Sequence, residues 1–127
     1  MRLFLVRHAE AAPGEPDELR PLTSAGRAVA QDVGERLAPE RPDAVVSSPL
    51  LRARETAEQI AQAAGLTPEA DDRLAPGATT DDLKAAVAER GDTVVAVGHQ
   101  PDCSAFFLNL TGREVDFAPG AVHEVQL

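Results

Sequence analysis

The chain has 127 residues, 43% hydrophobic and 26% charged, with a formal net charge of −9 at pH 7. That length predicts one domain over residues 1–127 with a core of its own. The acidic balance, with four Phe and no Trp or Tyr, argues against nucleic-acid binding, which relies on basic patches and stacking rings.

Cys103 is the only cysteine, so no intramolecular disulfide forms and a reducing, cytoplasmic setting is expected. No run of about 18 apolar residues marks a membrane span, and the apolar stretch before Arg7 is short for a signal-peptide core. Leu3-Phe4-Leu5-Val6 reads as a strand buried on both faces, delivering Arg7 and His8 at its end. Residues 9–22, with three Pro, one Gly and several acids, read as a loop. Thr23 or Ser24 then caps a helix on which Val29, Val33 and Leu37 recur, beside the small residues Gly26, Ala30 and Gly34, until Pro39 and Pro42 end it.

Ala44-Val45-Val46 is a second strand, followed by Ser48 as N-cap and Pro49 in the first turn of a helix. That helix carries Leu50, Ala53, Ala57, Ile60 and Ala64, and Gly65 closes it. A short strand is expected near Glu69–Asp71, a third helix from about Thr80 to Glu89, and a buried strand over Thr93–Val97 ending at Gly98-His99. A helix from about Pro101 to Leu110 and a final edge strand over Ala121–Leu127 complete the chain. The alternation predicts an α/β fold: helices on both sides of a mainly parallel sheet, a three-layer α/β/α sandwich. Such sheets bind ligands beyond the carboxyl ends of their strands, which is where Arg7-His8, Ser47-Ser48 and Gly98-His99 fall.

Taken singly, each of these features has an ordinary structural explanation. Together, "LVRHA" (5–9), "RPLTSAGRAVA" (20–30), "SSPLLRARETAE" (47–58) and "VVAVGHQPD" (94–102) resemble the histidine phosphatase superfamily, in the family's order and across nearly the whole chain. The short length and the "RHAEA" and "VGHQP" segments are most similar to the SixA-type phosphohistidine phosphatases. The resemblance implies a phosphoglycerate-mutase-like fold and a phosphatase working through a covalent phosphohistidine on His8. It implies His8 and His99 as catalytic residues, and Arg7, Arg52 and His99 as the phosphate pocket. Arginine forks suit that pocket because they donate to two oxygens at once and stay charged.

Arg52 is the arginine matched by the family spacing. It lies in the first helical turn, whereas Arg54 points about 200° away, as a solvated charge or a partner for Glu58. Gln100 opens a helix whose amides are candidate anion donors, and Glu10 is either an orienting acid for Arg7 or a substrate amine, or a solvated loop acid. Two departures from the family stand out. Ala9 follows the nucleophile where many members have Gly, and no mid-chain acidic proton donor can be assigned. Asp71, Asp72 and Asp81 read more simply as turn or cap residues.

The missing acid favours an activated phosphoryl donor such as phosphohistidine over simple esters, since general acid catalysis contributes about 10²–10⁴ in rate. A general phosphomonoesterase of small metabolites and a non-catalytic phosphate-sensing or interaction module are the alternatives. No metal or other cofactor is implied, because neither a His-Glu-x-x-His nor a phosphate-loop lysine pattern occurs. The expected partner is a phosphorylated substrate, with a phosphohistidine-bearing protein preferred, bound at a shallow site. Cys103 and Phe106-Phe107 are expected to pack the helix after His99, and His123 to have a structural or surface role.

Overall fold

The computed structural model describes residues 1–127. One sheet contains β1 (Arg2–Arg7), β2 (Ala44–Ser47), β3 (Glu69–Ala70), β4 (Thr93–Gly98) and β5 (Val122–Gln126), in the order β3-β2-β4-β1-β5. The first four strands are parallel, and β5 runs antiparallel to β1 at the edge. Helices α1 (Ser24–Leu37), α2 (Leu51–Ala64), α3 (Thr80–Val87) and α4 (Asp102–Thr111) cover the two faces.

Successive side chains on a strand point to opposite faces, so the apolar runs of β1 and β4 feed two cores at once. Leu3 and Leu5 of β1 with Val94 and Ala96 of β4 pack against Leu83 and Val87 of α3 and Phe106 and Phe107 of α4. Phe4, Val6, Val95 and Val97 pack against Val33 and Leu37 of α1 and Ala53, Ala57 and Ile60 of α2. This is the three-layer sandwich expected from the strand–helix alternation.

Several element ends differ from the sequence reading, each for a local reason. Thr23 caps α1 as expected, its hydroxyl oxygen accepting from the Gly26 N–H at 2.9 Å. Val29, however, is 42% exposed, and the buried stripe of α1 is Gly26, Ala30, Val33, Gly34 and Leu37. The small residues therefore form the contact rather than flank it. Helix α1 ends at Leu37 ahead of Pro39, as expected, and Pro39 sits in a 3-10 turn over Ala38–Glu40. Helix α2 begins at Leu51 with Leu50 as its N-cap, so Ser48 is not the cap. Helix α3 ends at Val87, and Glu89 turns into the left-handed region at φ 62°. Gly65 closes α2 as expected, at φ 72°.

The two glycines of α1 are required by close approach of backbone. A Cβ on Gly34 would stand 2.8 Å from the Gln59 carbonyl oxygen, so this residue lets α1 press against α2 rather than against the sheet. A Cβ on Gly26 would stand 2.1 Å from the Glu10 carbonyl oxygen, where the loop after β1 crosses the start of α1. The same carbonyl accepts from the Thr23 N–H at 3.0 Å, so the clash cannot be relieved without loosening the loop. Gly26→Ala is expected to lower stability by about 1–3 kcal/mol in urea denaturation. Ala25→Ser, at an exposed neighbouring position, should stay within about 0.5 kcal/mol of the parent.

Candidate active site

The sheet order inserts β4 between β1 and β2, so their carboxyl ends lie side by side. The hydrogen-bond ladder continues past the strands: the His8 N–H donates to the Gly98 carbonyl and the Ser48 N–H to the Val97 carbonyl, both at 3.0 Å. His8, Ser48 and His99 therefore leave the sheet together. The imidazole centroids of His8 and His99 are 5.2 Å apart, with the rings tilted by 59°.

His8 Nδ1 lies 2.8 Å from the Ala9 carbonyl oxygen. A carbonyl only accepts, so Nδ1 carries the hydrogen and Nε2 presents a lone pair in the neutral ring. Burial lowers the His8 pKa first, Arg52, Arg7 and Arg20 push the same way, and the Ala9 hydrogen bond opposes them. The net effect favours the neutral ring. His99 is 4% exposed, with Nε2 2.7 Å from Ser48 Oγ. Burial, then His8 and Arg52, push its pKa down to about 4, with Asp17 pulling upward.

Arg7 Nη1 donates to the Phe117 carbonyl at 2.9 Å, while its Nε is buried without a partner. Arg52, 8% exposed in the first turn of α2, donates from Nη1 to the Asp17 carbonyl at 3.0 Å and from Nη2 to Asp17 Oδ2 at 3.2 Å. Asp17 lies in a 3-10 turn over Asp17–Leu19, and its Oδ1 accepts from Arg20 Nη1 at 3.0 Å. Hydrogen bonding by Arg20, then by Arg52, holds the Asp17 carboxyl below its usual range against partial desolvation.

The structure thus brings Arg7, His8, Arg52 and His99 to one strand-end edge, with Arg7 and His8 half-buried and Arg52 and His99 buried. The four line none of the molecule's larger concavities. Ala9 is fully buried with Leu22 and Ala30, so its methyl group has a packing site of its own. Its N–H donates to Thr56 Oγ1 at 3.1 Å, and that hydroxyl donates to the Arg52 carbonyl at 2.8 Å.

The supporting candidates sit elsewhere. Glu10 is exposed and accepts from the Thr23 hydroxyl at 2.8 Å, tying the loop to α1 rather than orienting Arg7. Helix α4 opens at Asp102, after Gln100, whose Oε1 accepts from the Ser104 N–H at 2.9 Å. The amides of Cys103 and Ala105 bond the His99 and Pro101 carbonyls, so these first-turn donors are turned inward. Arg54 is exposed and flanks a shallow depression with Glu58 without pairing with it, so of the two alternatives it is the solvated charge. Asp71 binds Arg73 and Arg90, and hydrogen bonding from Arg73 keeps its carboxyl down at about 2.

His123 packs its ring against Phe107 and Phe117, with centroids 5.4 and 4.7 Å away. Cys103 is buried, and burial pushes its thiol up to about 12. No group of three or more His, Cys, Asp or Glu side chains is placed to hold a metal ion, and no helix is long and apolar enough to cross a membrane. Sequence reasoning missed Asp17, Arg20, Thr56 and the Phe117 carbonyl. Arg20 and Thr56 lay inside quoted motifs, but nothing local distinguished Asp17 from the other loop acids.

The model of the histidine phosphatase superfamily (branch 1) matches residues 3–76. The chain belongs to that superfamily. An uncharacterized protein of Picosynechococcus sp. (strain PCC 7002) is 38% identical over 112 residues, which are 80% of this chain and 68% of that protein. The structure of the protein histidine phosphatase SixA complexed with tungstate superposes with a TM-score of 0.88 at 27% identity, covering 100% of this chain and 88% of that one. A proposed phosphohistidine phosphatase SixA from Agrobacterium tumefaciens gives 0.82 at 29% identity, covering 97% and 89%. The protein is therefore a phosphatase of this superfamily, with a phosphoglycerate-mutase-like fold and a similarity to SixA.

The buried His99 predicts a pH effect on stability. Its folded-state pKa of about 4 lies below the ordinary 6.5, so the folded chain binds fewer protons than the unfolded chain between those values. The stability involved is present above about pH 6.5 and is lost as pH falls towards 4. In urea titrations, His99→Gln should reduce the loss of stability between pH 7 and pH 4 by about 2–3 kcal/mol relative to the parent.

Proposed function

We propose that the protein hydrolyses phosphohistidine on a protein substrate, through a covalent phosphohistidine formed on His8. The observation that carries this reading is the fixed His8 tautomer, with Nδ1–H held on the Ala9 carbonyl and the Nε2 lone pair free of protein partners. A neutral imidazole so held is a competent nucleophile at pH 7. In the first step the Nε2–phosphorus bond forms as the bond from phosphorus to the substrate nitrogen breaks. Water then attacks phosphorus, releasing orthophosphate and restoring His8.

The transferring group carries charge on its equatorial oxygens, so the work of the site is electrostatic and positional. Arg7 and Arg52 are the proposed clamp. The buried Arg7 Nε without a partner supports this, because such a donor is costly unless an acceptor meets it. His99 is neutral in the free site; an arriving phosphoryl dianion offsets the nearby arginines and raises its pKa, which lets it hold a proton against the phosphoryl oxygens. The SixA neighbour is complexed with tungstate, a tetrahedral oxyanion, in keeping with a fold that can hold a phosphoryl group. The chemistry is proposed to need no metal, with the two arginines supplying the positive charge.

Brief exposure to a phosphohistidine-bearing protein followed by quenching should trap an acid-labile phosphoenzyme that His8→Ala abolishes. A non-catalytic module would give no labelled protein, and a general phosphomonoesterase would turn over sugar phosphates as fast as the phosphoprotein. Arg52→Ala should lower kcat/KM by roughly 10²-fold or more. Arg54→Ala should leave it within about twofold, since an exposed unpaired charge away from the pocket contributes little. Equal losses from the two would remove Arg52 from the clamp.

A further inference from the structure

The Arg52 guanidinium, proposed above as half of the phosphate clamp, already holds an anion. Asp17 meets it twice, by its carbonyl oxygen at 3.0 Å and by its carboxylate at 3.2 Å. We propose that Asp17 is a built-in competitor for the phosphoryl group on Arg52, and thereby sets the affinity of the site for phosphate-like anions. This rests on the reading of Arg52 as a phosphate-binding residue.

Three features favour competition over support. First, the Arg52 side chain is 10% exposed and leaves the first turn of a packed helix, so the body of α2 fixes its direction. The Asp17 side chain is 61% exposed, on a turn with no buried residue, and is the easier of the two to move. Second, the carboxylate is shared. Its other oxygen is held by Arg20, which is anchored through Nε to the Ala12 carbonyl at 2.8 Å. Release from Arg52 therefore leaves Asp17 an ionic partner. Third, Asp17 acts on the His99 ring in the direction that an incoming anion would, pulling its pKa upward. It stands electrostatically where a phosphoryl oxygen would act.

A phosphoryl dianion arriving at Arg52 faces that carboxylate in either of two ways. If it takes the edge formed by Nη1 and Nη2, the Asp17 carboxylate must leave Nη2 and swing towards Arg20, and the Asp17 carbonyl must give up Nη1. If it binds another edge of the guanidinium, Asp17 stays and its charge opposes the dianion at short range. In both cases the carboxylate weakens anion binding, and it weakens most the binding of a group with two charges. For a phosphatase this has a use, because the product is itself an oxyanion that would otherwise occupy the site. Asp17 also disfavours substrates that carry a second anionic group near the phosphoryl group. It is thus a specificity-determining residue, and no proton transfer is assigned to it.

The test is calorimetric titration of the full chain with tungstate, comparing parent, Asp17→Asn and Arg54→Ala. Asparagine keeps the shape and a hydrogen-bonding oxygen while removing the charge. Asp17→Asn is expected to bind tungstate about three- to tenfold more tightly, as expected for removing one charge near a partly screened pair. Arg54→Ala should bind as the parent does. In turnover, Asp17→Asn should lower KM by a similar factor with kcat nearly unchanged. If Asp17 instead positions Arg52, the variant will bind tungstate more weakly and lose kcat, which overturns the proposal. Equal affinity in parent and variant overturns it as well. Absence of tungstate binding to the parent would overturn the phosphate-pocket reading together with this inference, which separates that failure from the other two.

Discussion

Two backbone hydrogen bonds, from His8 to Gly98 and from Ser48 to Val97, hold three strand ends in one row, and the site is built on that row. They exist because the chain makes β2 before it makes β4, then returns β4 to the gap between β1 and β2. Each crossover lays its helix on one face of the sheet, and the last parallel strand completes an edge whose residues come from distant parts of the chain. The side chains that matter stand at or just beyond strand ends, where the backbone is still held by the ladder. Positional precision at His8 and His99 is inherited from the sheet core.

The second level of organisation joins the loop to α2. Thr56 accepts from the Ala9 N–H and donates to the Arg52 carbonyl, so the residue after the proposed nucleophile and the clamp arginine share one hydroxyl. Leu22 and Arg27 reach Glu55 on the same helix, and Gly26 admits the Glu10 backbone against α1. The loop over residues 9–22 is therefore fastened at several points, and its 3-10 turn carries Asp17 to Arg52. A methyl group at Ala9, where many superfamily members have glycine, fits because Leu22 and Ala30 leave room for it.

Much of this was legible in the sequence, and the limits have physical causes. Apolar runs such as Leu3–Val6 and Val94–Val97 announced strands buried on both faces, and β-branched residues between helical stretches announced the parallel sheet. The motif residues Arg7, His8, Arg52 and His99 were expected at strand or helix ends, and the structure brings them together. What failed was local. Ser48 has the chemistry of a cap, and its hydroxyl does accept from the Leu50 N–H at 3.2 Å while meeting His99 Nε2 at 2.7 Å, but this bond closes a turn ahead of the helix, which starts at Leu51. Val29 has the right spacing for the core stripe of α1, yet glycine and alanine occupy that stripe because α1 must approach α2 closely. Asp17 was invisible because the contact that distinguishes it is made with a residue 35 positions away.

The electrostatics of the site follow from the same packing and bear on the substrate. A chain of net charge −9 places Arg7 and Arg52 near both histidines and Arg20 near His8, and burial plus these charges lower both imidazole pKa values in the free site. Asp17 and Asp71, by contrast, are engaged by arginines and held as carboxylates well below neutral pH, so neither has a proton to lend at pH 7. A leaving group that departs from this site without their help must carry its own proton or tolerate the negative charge. An alkoxide does neither well, whereas an imidazole protonated on its distal nitrogen leaves as a neutral molecule. With neither aspartate able to lend a proton, and with the proton proposed for His99 engaged by the phosphoryl oxygens, the electrostatics are consistent with the proposed nitrogen–phosphorus substrate.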